Sequence, residues 1–134
     1  MISLNFVPEN YHADFAFFSN AKRYVQFAGA EKQLIVTSNI EFTESCYYVN
    51  YNKLSSAFEQ GYNSLVMLLK LLSDLEISNV IVAGADGYIN GKRAYYKSSL
   101  NSNAVIDKNY NTTVKKAISQ LDIKVSYLTE SEYE

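Results

Sequence analysis

The segment from Ser64 to Gly84 most limits the folds open to this chain. Residues Ser64–Leu75 (SLVMLLKLLSDL) are apolar on nearly every side, which predicts a helix packed deep against a sheet. Residues Ile77–Gly84 (ISNVIVAG) follow with the continuous apolar run VIVA, which is typical of a strand buried on both faces. A second such pair follows later, with a helix over Thr112–Leu121 and a strand over Ile123–Leu128. A helix followed by a buried strand, repeated, predicts an α/β domain with a mostly parallel sheet.

The first half of the chain adds four shorter strands and one helix. Apolar and β-branched runs that end at polar residues predict the strands, and the only proline, Pro8, follows the first of them. Asn20 and Asn63 are the predicted N-caps of this helix and of the Ser64–Leu75 helix. The predicted strands are Ile2–Val7, Asp14–Phe18, Gln33–Thr37 and Cys46–Asn50, and the helix is Ala21–Ala28 with Gly29 as its stop.

The length of the chain fits one domain, and no linker is visible in it. With 134 residues, 1–134 is interpreted as a single α/β domain. The stretch Gly87–Tyr110 is longer than ordinary loops, and it predicts either a short helix around Lys92–Leu100 or a mobile flap over a site. The acidic residues Glu130–Glu134 are expected to be frayed.

Composition excludes several classes of function. The net charge is −2, which gives no electrostatic footprint for a polyanion, so a dedicated DNA- or RNA-binding module is not expected. One cysteine, Cys46, excludes an internal disulfide, and one histidine, His12, excludes sites that need two imidazoles. No run reaches the ~20 apolar residues of a membrane span, and the first residues lack the pattern of a secretion signal. These features favour a cytoplasmic protein that binds neither nucleic acid nor membranes.

Small polar residues follow nearly every predicted strand. In an open parallel sheet, ligands bind at the carboxyl ends of the strands, where loops and helix N-termini meet. Uncharged amides and hydroxyls at that edge suit a ligand rich in hydroxyl or amide groups, such as a sugar or a nucleoside. The same residue types make turns and helix caps in all proteins, so that interpretation stays open as well. The residues concerned are Asn5, Ser19, Asn20, Thr37, Ser38, Asn39, Asn50, Tyr51 and Asp86.

Two segments place glycines beside these polar residues. In Gly84–Tyr88 (GADGY), the glycines permit close approach of the backbone to a ligand, and the Asp86 carboxylate can accept hydrogen bonds or hold a cation. An ordinary tight turn is the alternative. Gly61–Ser64 opens the long helix, whose free N–H groups attract a phosphate or carboxylate, with Lys22 and Arg23 as positive partners. The alternatives are an N-cap and a solvated helix face.

The sequence shows no catalytic constellation. His12 has only Asp14 as a carboxylate nearby, so it is either a general base or a surface histidine. Cys46 has no CxxC partner and is interpreted as a core thiol. No Ser/His/Asp triad can be assembled with any specificity.

Four segments together resemble a known family. Their order, SLNFVPENYHADFAFFSNAKRY, LIVTSNI, YNSLVMLLKLL and VIVAGADGY, is similar to the C-terminal domain of bacterial 4-hydroxy-2-oxovalerate aldolase-like proteins over about Ile2–Leu128. Such proteins join an N-terminal DRE-TIM metallolyase barrel to a C-terminal Rossmann-like domain. The resemblance implies a Rossmann-like three-layer domain with a mostly parallel sheet, and a chain that is a fragment of a longer multidomain protein. Ala85 and Tyr62 depart from the family pattern, where a larger residue and an acidic residue are usual.

The resemblance also implies positions that bind a ligand. A more distant similarity to Rossmann-like domains of the sialyltransferase-like type implies that this ligand is nucleotide- or sugar-like. The segments that match the family place ligand-binding positions at the start of the long helix and in the glycine turn, in addition to those at the strand ends. The predicted ligand-binding residues are Asn5, Ser19, Asn20, Arg23, Thr37, Ser38, Asn39, Asn63, Ser64, Gly84, Asp86 and Gly87.

Three functions follow as hypotheses. The first is an accessory domain of an aldolase-type lyase that binds such a ligand or positions the barrel. The divalent metal then belongs to the barrel, and no cofactor is expected in this chain. The second is a stand-alone transferase acting on activated sugars, with Asp86 or His12 as base. The third is a protein-interaction module that docks through Tyr88, Tyr95 and Tyr96, with a homo-oligomer also open.

Overall fold

The computed structural model describes residues 1–6, 10, 12–27, 33–42, 45–58, 63–88 and 109–134. The chain divides into two compact units, unit 1 (Met1–Leu71) and unit 2 (Leu72–Glu134). The elements, in chain order, are β1 (Ile2–Leu4), β2 (Phe15–Phe18), α1 (Ala21–Phe27), β3 (Gln33–Thr37), β4 (Cys46–Val49), α2 (Tyr51–Ser55), α3 (Ser64–Asp74), β5 (Asn79–Val82), α4 (Tyr110–Ser119) and β6 (Lys124–Tyr127).

Unit 1 contains a four-stranded sheet in the order β1-β2-β3-β4, and every neighbouring pair is parallel. In register, Ile2 pairs with Phe15, Phe15 with Gln33, and Leu34 with Cys46. The predicted α/β class with a mostly parallel sheet is confirmed, and the arrangement is compatible with a Rossmann-like three-layer fold. Because all four strands run the same way, their carboxyl ends lie along one edge of the sheet.

The sheet of unit 1 is buried on both faces of β2. Phe17 and Phe18 point to opposite faces, since consecutive side chains of a strand alternate, and both are fully buried. Phe18 meets Tyr24 of α1 edge-on, with ring centroids 5.7 Å apart. One buried cluster on this side holds Ala16, Phe18, Tyr24, Leu34, Val36 and Ile40, with Cys46 packed against it. Cys46 is thus half-buried against the core, which agrees with its interpretation as a core thiol.

An asparagine directly precedes each of the helices α1, α2 and α3. Asn20 Oδ1 accepts from the backbone N–H of Arg23 at 3.2 Å, and Asn63 Oδ1 accepts from that of Val66 at 3.1 Å. Both predicted N-caps are therefore confirmed. Asn50, placed at a strand end by the sequence, also caps a helix, α2, which the sequence analysis did not predict. Five residues are too short a run to show helical periodicity.

Unit 2 contains a parallel pair, β5 and β6, with Asn79 opposite Lys124. The prediction that the VIVA strand is buried on both faces is wrong, because Ile81 is 74% exposed while its neighbour Val82 is buried. The apolar run marks a strand, whereas coverage of each face depends on what packs there. The segment 87–110, for which a short helix around 92–100 or a mobile flap was predicted, lies mostly outside the described residues.

The acidic segment after β6 is folded against unit 2, so the expectation that it is frayed is wrong. Tyr133 is buried, with 8% of its surface exposed. The Ser131 hydroxyl donates to the carbonyl of Ala85 at 2.6 Å, and the Glu132 N–H donates to that of Asp86 at 3.0 Å. An aromatic anchor and backbone hydrogen bonds outweigh the acidic composition of the segment.

Among the residues with a described structure, no helix is both long and apolar enough to cross a membrane.

A strained residue, Glu76, lies two residues after the end of helix α3 and leads to a stability prediction. Glu76 has φ of +61°, and the N–H of Ile77 returns to the Leu72 carbonyl at 3.0 Å. Since glycine reaches this left-handed region without a steric penalty, Glu76→Gly is expected to raise the free energy of unfolding by about 0.5–1 kcal/mol. Urea denaturation followed by circular dichroism measures the change. Glu76→Ala removes the same charge but keeps the strain, so an equal gain in that control would contradict the explanation.

Candidate functional site

A polar cluster lies at the carboxyl edge of the sheet in unit 1. We define it by five side chains, which come from the ends of three adjacent strands and from the first residue of α3. Its members are Asn5 after β1, Ser19 after β2, Thr37 and Asn39 at the end of β3, and Ser64. All five are among the residues that the sequence predicted to bind a ligand.

Asn5 is the centre of this polar cluster. Its φ of +52° lies in the left-handed region, which asparagine tolerates better than most residues. Its backbone N–H continues the ladder to Phe17 O at 2.8 Å. Its side-chain Oδ1 accepts from the Ser19 N–H at 3.0 Å, and Nδ2 donates to Ser64 Oγ at 2.6 Å. One amide thus joins the ends of β1 and β2 to the start of α3.

The two serine hydroxyls are in direct contact, with Ser19 Oγ donating to Ser64 Oγ at 2.7 Å. Ser19 is 1% exposed, so its hydroxyl is held inside the fold, whereas Ser64 is half-buried. Ser64 Oγ accepts from both Asn5 and Ser19. A hydroxyl also carries one hydrogen of its own. The contact between the two serines uses one of their two hydroxyl hydrogens, so the pair keeps a second one that a ligand oxygen can accept.

Thr37 and Asn39 extend the polar cluster along the edge. The buried Thr37 hydroxyl lies 2.6 Å from Asn39 Oδ1 and 3.3 Å from the carbonyl of Phe18. Asn39 Nδ2 donates to the Ser19 carbonyl at 3.3 Å. These contacts tie the end of β3 to the end of β2. Asn39 itself is exposed, and an amide nitrogen carries two hydrogens, so one remains for a further acceptor.

Four predicted residues of unit 1 lie outside the polar cluster. The side chains of Asn20 and Asn63 cap helices α1 and α3. Ser38 accepts from the Tyr51 N–H at 2.9 Å and so connects β3 to α2. The Arg23 guanidinium donates to Gln26 on the same helix at 3.1 Å. Asn20, Asn63 and Ser38 thus make the capping and turn contacts that were left open beside ligand binding, and Arg23 contacts its own helix; ligand binding by these four residues stays a prediction.

The remaining predicted residues, Gly84, Asp86 and Gly87, form a turn in unit 2. Both glycines have positive φ, +72° and +82°. The Gly84 N–H donates to Thr129 Oγ1 at 3.0 Å, and the same hydroxyl lies 3.5 Å from Asp86 Oδ1. The groups that the sequence assigned to a ligand are therefore in contact with a later segment of the same chain.

His12 and Asp14 form an exposed pair, with His12 Nε2 3.3 Å from Asp14 Oδ1. A hydrogen bond from the amino group of Met1, its charge, and the nearby His12 hold the pKa of Asp14 below its ordinary value of 3.8. The His12 side chain is 81% exposed, which favours the surface interpretation over that of a general base. In the described ranges, no three His, Cys, Asp or Glu side chains are grouped so that they would hold a metal ion.

Some side chains that organise unit 2 were missed by the sequence analysis. Asn111 makes a two-point contact with the backbone of Tyr88, accepting from its N–H at 3.1 Å and donating to its carbonyl at 2.9 Å. The Tyr88 ring packs edge-on against Tyr110, with centroids 5.3 Å apart. Thr129 and Ser131 were also missed, because single hydroxyls in an acidic segment give no signal of their partners. Tyr95 and Tyr96 lie outside the described residues.

Comparisons with known proteins leave the site to be judged on its own geometry. No protein-family model, no curated protein sequence and no solved structure matches the chain. The similarity to aldolase-associated domains therefore stays a hypothesis based on four sequence segments, and function has to be argued from the polar cluster.

Proposed function

We propose that this chain is an accessory domain that binds a nucleotide- or sugar-like molecule at the carboxyl ends of β1, β2 and β3. The observation that carries the proposal is the meeting of three strand ends and a helix start in one hydrogen-bonded cluster, through Asn5, Ser19, Asn39 and Ser64. The carboxyl edge of an open α/β sheet is where such folds bind their ligands.

The chemistry of the polar cluster supports this class of ligand. All five side chains are amides or hydroxyls, so the cluster offers neutral donors and acceptors and no formal charge. Ser64 has a hydroxyl hydrogen to give, and Asn39 has an amide hydrogen. Hydroxyl groups of a sugar or a ribose both donate and accept, and they match this set better than a bare ion does.

Burial divides the polar cluster into supporting and contacting members. Ser19 and Thr37 are 1% and 0% exposed and are held by hydrogen bonds on several sides. Asn39 is exposed, and Asn5 and Ser64 are half-buried. Buried groups that fix the orientation of accessible ones are what a preorganised binding site needs. We therefore assign ligand contact to Ser64 and Asn39, and support to Ser19 and Thr37.

Ligand binding is tested by thermal unfolding with nucleoside mono- and diphosphates, nucleotide sugars and free monosaccharides. A ligand that binds only the folded chain stabilises it by about 2.7 kcal/mol at 100 times its Kd. We expect at least one compound to stabilise the wild-type chain, and Ser64→Ala with Asn39→Ala to weaken its binding by about tenfold or more, as two lost hydrogen bonds imply.

The matched control is Ser45→Ala, which removes an exposed hydroxyl of unit 1 outside the polar cluster. This variant is expected to bind as the wild-type chain does. If the compound stabilises the double variant as much as it stabilises the control, the assignment of the site is contradicted. If no compound stabilises the wild-type chain, ligand binding itself is contradicted. Asp86→Ala tests separately whether the turn of unit 2, with Gly84, Asp86 and Gly87, has a ligand-binding role of its own.

The proposal extends to the setting of the domain, on the strength of the resemblance over Ile2–Leu128. We propose that it accompanies an aldolase-type lyase barrel, which supplies the divalent metal and the chemistry, in the bacterial cytoplasm. Light scattering of the chain mixed with such a barrel is expected to show a complex. Unchanged masses of both proteins at micromolar concentration would argue against docking to the barrel.

A further inference from the structure

We propose that the segment Thr129–Tyr133 is a strap that closes the Gly84–Gly87 turn and opens as one unit. The strap and the turn both belong to unit 2, so the proposal stands whether or not the polar cluster of unit 1 binds a ligand. The glycine turn, which the sequence suggested is open to a ligand, is in contact with the strap of the same chain.

Hydrogen bonds connect strap and turn at three successive residues of the turn. The Gly84 N–H donates to Thr129 Oγ1 at 3.0 Å. The Ala85 carbonyl accepts from the Ser131 hydroxyl at 2.6 Å, and the Asp86 carbonyl accepts from the Glu132 N–H at 3.0 Å. The strap thus satisfies one donor and two acceptors of the turn backbone. These are groups with which a turn of this kind would hold a ligand.

Packing at Gly87 shows how closely the strap approaches. A Cβ atom at this position would lie 2.7 Å from Glu132 Cβ, closer than real Cβ atoms come. With φ of +82°, the residue is also in a region that favours glycine. Glycine at this position is therefore explained by contact with the strap, without a ligand.

Ser131 holds the strap in shape as well as in place. Its hydroxyl donates to the Ala85 carbonyl and accepts from the Tyr133 N–H at 3.1 Å. Tyr133 in turn is buried and is the apolar anchor of the strap. Because one hydroxyl joins the turn to the anchor, its loss should loosen every contact of the strap together.

Amide hydrogen exchange in the full chain tests the proposal at two positions on opposite sides of the contact. The Gly84 amide is on the turn and the Glu132 amide is on the strap. If the strap opens as one unit, both amides exchange through the same opening. We expect Ser131→Ala to speed the exchange of both by about fivefold to tenfold, as the loss of one or two hydrogen bonds implies.

Two internal comparisons make the result specific. The Leu128 amide, bonded to Val82 O at 2.8 Å in the β5–β6 ladder, should be unchanged, which shows that unit 2 stays folded. Glu130→Ala, which changes an exposed strap residue, should leave both the Gly84 and Glu132 amides as in the wild-type chain.

A second variant keeps the test decisive if Ser131→Ala disturbs folding. Thr129→Val removes the acceptor of Gly84 and is expected to speed exchange at Glu132 as well. Faster exchange at Glu132 alone in Ser131→Ala would show local fraying and overturn the proposal. Unprotected exchange of both amides in the wild-type chain would overturn it too.

Discussion

Replacing Phe17 by alanine is expected to lower the free energy of unfolding by about 3–5 kcal/mol, the usual cost of deleting a buried aromatic ring. The Phe17 side chain is fully buried in the middle of the four-stranded sheet, with Leu4 and Ile35 as its neighbours in register. Little water can enter to replace the ring, so the variant loses both the transfer free energy and the packing contacts. Urea denaturation followed by circular dichroism measures the loss.

Tyr48→Ala is the matched control for Phe17→Ala. Tyr48 is also an aromatic residue of the same sheet, but its side chain is 56% exposed on the edge strand β4. We expect this control to cost about 1 kcal/mol or less. Equal losses in the two variants would show that Phe17 is not in a closed core, and would contradict the burial of both faces of β2.

The second large effect is expected at Asn5, in the polar cluster. Asn5→Ala removes the acceptor of the buried Ser19 N–H and the donor to Ser64, and it leaves alanine at φ of +52°. An orphaned buried group costs about 1–3 kcal/mol, and a left-handed conformation costs an ordinary residue about 1–2 kcal/mol. We expect a total loss of about 2–5 kcal/mol in the same denaturation experiment.

Two further variants separate the causes of this loss. Asn5→Gly also lacks the amide but accepts the backbone angle, so it should be less destabilising than Asn5→Ala by the strain alone. Ser64→Ala removes one hydroxyl and leaves the bond from Asn5 to the Ser19 N–H intact, so its cost should be the smallest of the three. If Asn5→Ala is as stable as the wild-type chain, the polar cluster does not join the strands as the structure shows.

Hydrophobic pattern and capping chemistry were enough to predict most of the elements. The strand Gln33–Thr37 was predicted with its observed bounds, and α3 begins at Ser64 as predicted and ends one residue early. Asn20 and Asn63 cap helices because a side-chain oxygen beside the first turn has a donor within reach. Such contacts span three residues, so they are visible in the sequence.

The errors concern properties that depend on distant residues. Ile81 lies in an apolar run and is nevertheless exposed, because none of the described residues covers it on that face of β5. The acidic segment lacks a folding signal of its own and is held by the Ala85 carbonyl, 46 residues earlier in the chain. No local pattern records a partner at that separation.

The sequence by itself determined the α/β class, the polar residues at the strand ends and two of the helix caps, because these follow from periodicity and from bonds between near neighbours. Only the tertiary structure decided which of those polar residues meet. It brought Asn5 together with Ser64, 59 residues later, and placed Ser38 beside Tyr51 and Arg23 beside Gln26. It also placed the segment Thr129–Tyr133 in hydrogen-bond contact with the Gly84–Gly87 turn. The physical reason is that a hydrogen bond depends on the distance and direction between two groups, and the packing of strands and helices sets both.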